Sequence, residues 1–182
     1  LGGTVLASDG PFSPQKMAQV VAERHVNALS AVPAGIIMAM DSAERSLSPL
    51  VGQIRLIELG SAHMPVSQKE RLLQFFPNAR ICMHYGLTEA SRSTFLDFDA
   101  DRLRLTSVGK ASPNVLVEIR DPEGQPLPVG KSGEVVVRGG HVTPGYLGDP
   151  ELTARVVTER GIRTGDLAWM DEQGYVKITG RL

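Results

Sequence analysis

The spacing of apolar residues changes character once along this chain, near Arg104, and that change constrains the fold more than any other feature. Before it, short β-prone runs at residues 4–7, 28–32, 54–59 and 79–83 alternate with segments of helical period. Strands alternating with helices build a parallel sheet covered by helices, because parallel neighbours need a crossover connection. After it, strand-like runs at residues 115–120, 134–138, 167–170 and 175–179 are separated by Asp121-Pro122-Glu123-Gly124 and Asp171-Glu172-Gln173-Gly174, both turn-forming tetrapeptides. Val115, Val117 and Ile119 alternate with polar Glu118 and Arg120, the pattern of an antiparallel sheet with one face open to water. The expected fold is α/β: a parallel sheet with covering helices (βα units) over residues 1–103, then a smaller antiparallel, β-rich, barrel-like subdomain over residues 104–182.

Helix boundaries are marked locally. Ser13-Pro14 supplies an N-cap and a first-turn proline, after which Met17, Val20 and Val21 share a face. Ser67 and Glu70 have the spacing of a capping box, Leu72, Leu73 and Phe76 form an apolar stripe, and Pro77 ends the segment. Residues 40–52 read as a helix and loop. Asp149-Pro150-Glu151 starts a short helix running to about residue 157.

A hydrophobic content of 42% against 21% charged residues is enough to bury a core, so disorder is not expected. The formal net charge of -1 offers no footprint for nucleic acid. The longest apolar run, residues 31–40, is broken by Pro33 and Gly35 and falls short of the ~20 residues that span a bilayer, so no transmembrane segment is expected. A single cysteine, Cys82, excludes an intrachain disulfide and suits a cytoplasmic protein. His25, His63, His84 and His141 lack metal-ligand spacing, and no nucleophilic triad is indicated. The opening Leu1-Gly2-Gly3-Thr4 has no initiator methionine and no signal-type run follows, so the chain reads as the middle of a longer protein.

Three constellations carry chemistry. Tyr85-Gly86-Leu87-Thr88-Glu89 follows an apolar strand, where ligands of open α/β sheets bind. It offers an aromatic face for a base, a glycine for close backbone approach, a hydroxyl for a phosphate oxygen and a carboxylate for a hard cation, a set that suits a nucleotide with Mg2+. The plainer alternative is a strand-to-loop turn with an exposed acid. Arg163-Thr164-Gly165-Asp166-Leu167 sets a carboxylate beside a glycine before a strand, where it could accept two ribose hydroxyls or simply form a turn. Gly133-Glu134-Val135-Val136-Val137-Arg138-Gly139, followed by Gly145-Tyr146-Leu147, reads by itself as an edge strand and a glycine turn.

In order and spacing, these segments together with Gly180-Arg181 resemble the core motifs of the adenylate-forming superfamily: acyl-CoA and aryl-CoA synthetases, firefly luciferase and peptide-synthetase adenylation domains. Gly2-Gly3-Thr4, Val32-Pro33 and Gly60-Ser61-Ala62 extend the resemblance over the whole chain. Two positions depart from the family pattern: His63 stands where a proline is usual, and Ile162 where an aromatic is more common.

The resemblance implies that Tyr85 stacks on adenine, Thr88 contacts the phosphates and Glu89 helps hold Mg2+, with Thr88 and Glu89 serving catalysis. Gly60, Ser61, Ala62 and the backbone at His84 would frame the base, Gly86 and Leu87 would lie in the same cofactor-binding segment, Asp166 and Arg181 would reach the ribose, and Ile178 would pack near it. The implied cofactors are ATP/AMP and Mg2+, with coenzyme A as co-substrate. The implied activity is ATP-dependent activation of a small-molecule carboxylic acid as an acyl-adenylate, then transfer to coenzyme A or a carrier-protein thiol, as in fatty acid metabolism. The alternatives are an amino-acid-activating adenylation domain and a catalytically silent nucleotide-binding module. The family's phosphate loop and catalytic lysine have no counterpart in these 182 residues, so the chain alone is expected to be inactive.

Overall fold

The computed structural model describes residues 3–7, 10–60 and 62–182. Helix α1 (Pro14–Glu23) starts at the expected cap, where the Ser13 hydroxyl accepts from the Lys16 amide at 3.3 Å. Ala18 and Val21 turn fully inward and Met17 packs at the core's edge, whereas Val20 stays half-buried. Strand β1 (Ala28–Ala31) leads into α2 (Pro33–Ser42), then a short α3 (Glu44–Leu47) with a 3-10 turn at Ser48–Leu50. Strand β2 (Leu56–Leu59), helix α4 (Val66–Phe75) and strand β3 (Arg80–Leu87) complete the βα units.

Pairing of β1 with β2 and of β2 with β3 is parallel and in register, as expected. The sheet as a whole is mixed, however, because β3 runs on to Leu87 and the chain doubles back at Thr88 and Glu89 into β4 (Ala90–Asp97), followed by β5 (Lys110–Ala111), both antiparallel. Strand β4 carries no apolar alternation to mark it, because buried hydroxyls occupy inward positions where an apolar residue would signal a strand. Ser93 donates to the Ala90 carbonyl at 2.8 Å and Thr94 to that of Val108 at 2.5 Å, which removes the cost of burying them. Residues 4–7, expected as a strand, form none: among the described residues nothing pairs with them, and Val5 is 90% exposed.

The second sheet has the order β10-β9-β7-β6 and is antiparallel throughout, built from β6 (Val115–Arg120), β7 (Gly133–Gly139), β9 (Gly161–Met170) and β10 (Val176–Arg181). Helix α5 (Pro150–Val156), capped by Asp149 accepting from the Leu152 amide, leads into the short strand β8 (Val157–Thr158), which pairs with β9. Both expected turns form, with the Gly124 and Gly174 amides donating to the Asp121 and Asp171 carbonyls. One face is open to water along β6 as expected, but β7 is covered on both faces, because Arg163 from β9 lies over Glu134.

The expected capping box at Ser67 and Glu70 does not form. Helix α4 begins two residues earlier, with Pro65 at the N-cap position and no side-chain cap, so Ser67 already lies inside the first turn. What anchors this helix is burial. Leu72 and Phe76 join Ile36, Met40, Ile57 and Ile81 between helices and first sheet, each full burial contributing roughly 1.5–3 kcal/mol.

Lys69 of α4 is also buried, at 4% exposure, with its Nζ donating to the Leu105 carbonyl at 2.6 Å and the Ser107 carbonyl at 3.5 Å. Burial lowers its pKa to about 8. The unfolded chain, with a lysine near ~10.4, therefore binds more protons between those values, and Lys69 makes the fold more stable as pH rises through that window. Lys69→Met should cost about 1–3 kcal/mol in urea unfolding by orphaning both carbonyls. It should also remove a rise in wild-type stability between pH 8 and pH 10.5, read as the wild-type-minus-variant difference.

Candidate functional site

Among the described residues, strand pairing is irregular at three places, and all three meet where the sheets join. Between Tyr85 and Leu87, β3 has one residue where β4 has three, and the extra length puts Arg92 in the left-handed region at φ 57°. Between Glu134 and Val136, β7 has one residue where β9 has three: Thr164, Gly165 and Asp166. Between Ile178 and Gly180, β10 carries the unmatched Thr179, which brings Arg181 opposite Asp166. Bulges bend strands and redirect side chains, and here they turn side chains of both sheets toward one seam.

The Tyr85 hydroxyl donates to Asp166 Oδ2 at 2.7 Å across the seam, and Arg181 Nη1 lies 3.6 Å from Asp166 Oδ1. Tyr85 and Leu87 also pack against the second core, beside Ile178, so the seam is sealed by apolar contact beneath its polar groups. Burial, countered by a contact with Thr164 and reinforced by the Asp166 carboxylate, holds the Tyr85 phenol well above its ordinary pKa. It therefore stays a proton donor throughout the physiological range.

The turn carrying Asp166 is built from within. Thr164 Oγ1 donates to the Val135 carbonyl at 2.8 Å and accepts from the Asp166 amide at 3.1 Å. Glu134, 7% exposed, takes Arg163 on one oxygen, at 2.6 Å and 2.8 Å, and the Gly165 amide on the other at 3.1 Å. A buried carboxylate needs such complete pairing. Beside this turn opens a cleft of about 370 Å³. Leu87, Glu89 and Tyr146 form one wall, Arg163, Thr164, Gly165 and Arg181 the other, and Arg155 of α5 stands at its side.

The structure therefore brings together Tyr85, Leu87, Glu89, Asp166 and Arg181, with Ile178 packed beneath. Thr88 is exposed at the hairpin tip beside Glu89. Close approach at Gly86 is by the chain itself, since a Cβ there would meet the Ala90 carbonyl oxygen and the Arg92 amide at 2.6 Å. Gly60, Ala62 and His84 are not brought to this cleft; alternation along β3 sends His84 to the face opposite Tyr85. Ser61 lies outside the described residues.

His84 and Gly60 form a group of their own. The imidazole lies so close against Gly60 that any side chain there would collide with it. His84 Nδ1 is 3.2 Å from Glu58 Oε1 but is not aligned to hydrogen-bond with it. Arg92 grips both Glu58 oxygens, at 2.7 Å and 3.2 Å, and this hydrogen bonding keeps the Glu58 carboxyl below its usual range. Burial lowers the His84 pKa, opposed by Glu58 and assisted by the Arg92 charge. Nothing in the sequence linked Glu58 to Arg92, 34 residues away. Glu134, Arg163 and Tyr146 stood in the quoted motifs, and only their partners were illegible.

Two sheets, one mixed and helix-covered and one antiparallel, meeting at a cleft lined by the Tyr85 and Asp166 segments, are the architecture of adenylate-forming enzymes. The chain belongs to the AMP-binding enzyme family, whose model matches residues 1–147. It is 32% identical to an acyl-CoA ligase, sidI, of Aspergillus fumigatus, over 99% of this chain and 32% of that protein. It is likewise 32% identical to a 4-coumarate–CoA ligase-like protein of Arabidopsis thaliana, over 99% of this chain and 32% of that one. Among solved structures, the amide bond synthetase McbA of Marinactinospora thermotolerans superposes with a TM-score of 0.86 at 32% identity, covering 94% of this chain and 35% of McbA. The chain thus spans about a third of the length of the curated relatives it matches. No helix among the described residues is long and apolar enough to cross a membrane.

Replacing Arg92 by methionine would remove a cation repelling the His84 proton and free Glu58 to attract it. The His84 pKa should then move up, as followed by NMR titration of the imidazole. An unchanged titration would show that Arg92 and Glu58 do not set this imidazole's charge.

Proposed function

We propose that the full-length protein is an AMP-forming ligase that activates a carboxylic acid as its acyl-adenylate and passes the acyl group to the thiol of coenzyme A. The observation that carries this reading is the Tyr85–Asp166–Arg181 network beside the cleft. Tyr85 offers an aromatic face to adenine while its hydroxyl is tied down. Asp166 keeps acceptor capacity for the ribose hydroxyls, and Arg181, opposite it on β10, adds a donor. The backbone at Gly60, Ala62 and His84, which lies outside that cleft, is assigned to the adenine side on the reading that the base extends past Tyr85, and Gly86, Leu87 and Ile178 are assigned to the wall beneath it.

Thr88 and Glu89 at the hairpin tip are assigned to the phosphates and to Mg2+. Both offer hard oxygen donors, and among the described residues no cluster of three or more His, Cys, Asp or Glu could hold a metal unaided. One carboxylate and one hydroxyl suit a cation that keeps its waters and shares the substrate's phosphates. Bound there, Mg2+ would supply the charge neutralisation that lets an anionic carboxylate approach a triphosphate.

Relatives whose names describe acyl-CoA and 4-coumarate–CoA ligases support coenzyme A as the acceptor. The likeness to an amide bond synthetase supports a second reading, in which an amine takes the acyl group. The full-length protein should exchange pyrophosphate into ATP only when a suitable carboxylic acid from a broad panel is added. Supplying coenzyme A or an amine then separates the two acceptors. Asp166→Ala should weaken AMP binding at least about tenfold by calorimetry, the loss of one to two charge-assisted hydrogen bonds. Unchanged AMP affinity in that variant would place the nucleotide elsewhere.

A further inference from the structure

The loop from Gly140 to Asp149 belongs to the second sheet's connections, yet it is fastened to the hairpin tip of the first. Ala90 and Val142 form an isolated antiparallel bridge, and the Thr143 amide donates to the Glu89 carbonyl at 2.8 Å. Tyr146 then reaches back, its hydroxyl donating to Glu89 Oε1 at 2.6 Å. The backbone of Tyr146 is itself fixed, its amide donating to Thr153 Oγ1 at 2.8 Å, while the Thr153 hydroxyl donates to the Asp149 carbonyl at 2.8 Å. Glu89 is thus held through both its carbonyl and its side chain by one loop, which α5 anchors through Thr153. No other side chain among the described residues pairs with its carboxylate.

From this geometry we infer that Tyr146 is a positioning residue, which fixes the Glu89 carboxylate so that Oε1 is committed to the phenol and Oε2 is presented to the cleft. An exposed glutamate samples several rotamers, and holding one of them lowers the ordering cost of any cation it meets. A phenol suits this task because it donates a strong hydrogen bond without neutralising the carboxylate. Tyr146 touches neither nucleotide nor acid in this scheme; it acts through Glu89. The inference rests on the nucleotide reading of the cleft.

The test is ATP binding to the full-length protein by calorimetry, with Mg2+ titrated in and again in EDTA. Tyr146→Phe removes one hydroxyl from a half-exposed ring, so its melting temperature should match wild type. Its ATP affinity in EDTA should be unchanged, and its half-saturating Mg2+ should rise about tenfold, the size expected for a lost partner behind a metal-binding carboxylate. Glu89→Gln retains an acceptor oxygen for the phenol. Adding Tyr146→Phe to it should have no further effect on the Mg2+ dependence, whereas a merely structural tyrosine would give additive losses. An unshifted Mg2+ titration in Tyr146→Phe, or an equal loss with and without Mg2+, overturns the positioning role while leaving the nucleotide site intact. Wild-type protein that binds no ATP under either condition overturns the nucleotide reading itself.

Discussion

Tyr85 sits on a strand of the first sheet and Asp166 on a bulge of the second, and the 2.7 Å bond between them closes the seam on which the site depends. A hydrogen bond to a carboxylate contributes about 1.5–3 kcal/mol, and a half-buried carboxylate without donors would be costly. The bond therefore couples two things that could have been separate: how the sheets dock and where the carboxylate points. Leu87 and Tyr85 inserting into the second core supply the apolar part of the same join. Behind Asp166, the Glu134–Arg163 pair and the Gly165 amide keep the turn from relaxing.

Several polar side chains buried away from the cleft are satisfied by backbone carbonyls. Lys69 reaches the Leu105 and Ser107 carbonyls, and Ser93 and Thr94 reach carbonyls of Ala90 and Val108. The Lys69 and Thr94 bonds tie helix α4 and β4 to the segment before β5, so the stretch linking the two sheets is pinned from two sides. The His84–Gly60 contact is of another kind: it is steric, and it makes glycine at position 60 a consequence of the imidazole at position 84.

Much of the architecture was legible in the sequence because its cues are local. Ser13-Pro14, Asp149-Pro150 and the two Asp-initiated turns each mark a boundary with residues a few positions apart, and each forms as expected. The even-odd alternation of residues 115–120 gave β6 its limits. Elsewhere tertiary context overruled local pattern: hydroxyls hid β4, an exposed run at residues 4–7 mimicked a strand, and Pro65 displaced the expected cap at Ser67. Around the cleft, the motifs named Tyr85, Glu89, Asp166 and Arg181, which the fold brings near one another. The groups that hold them, Glu134, Arg163 and Tyr146, had no readable partner, because their contacts span 29 to 57 residues of sequence.

The three bulges carry a consequence for how such a chain can vary. In a regular strand, inserting or deleting one residue exchanges its two faces, and a neighbouring loop can often absorb the slip. At the residues around Gly86, Val135 and Thr179 no slack remains, because the offset itself aims Tyr85, Asp166 and Arg181 at one another. Between these points the geometry is therefore set by chain length, and a change of one residue in length would disturb it more than a change of a side chain on the outer face. Freedom to lengthen or shorten the chain is confined to places such as the turns at residues 121–124 and 171–174, where an added residue moves nothing that faces the cleft.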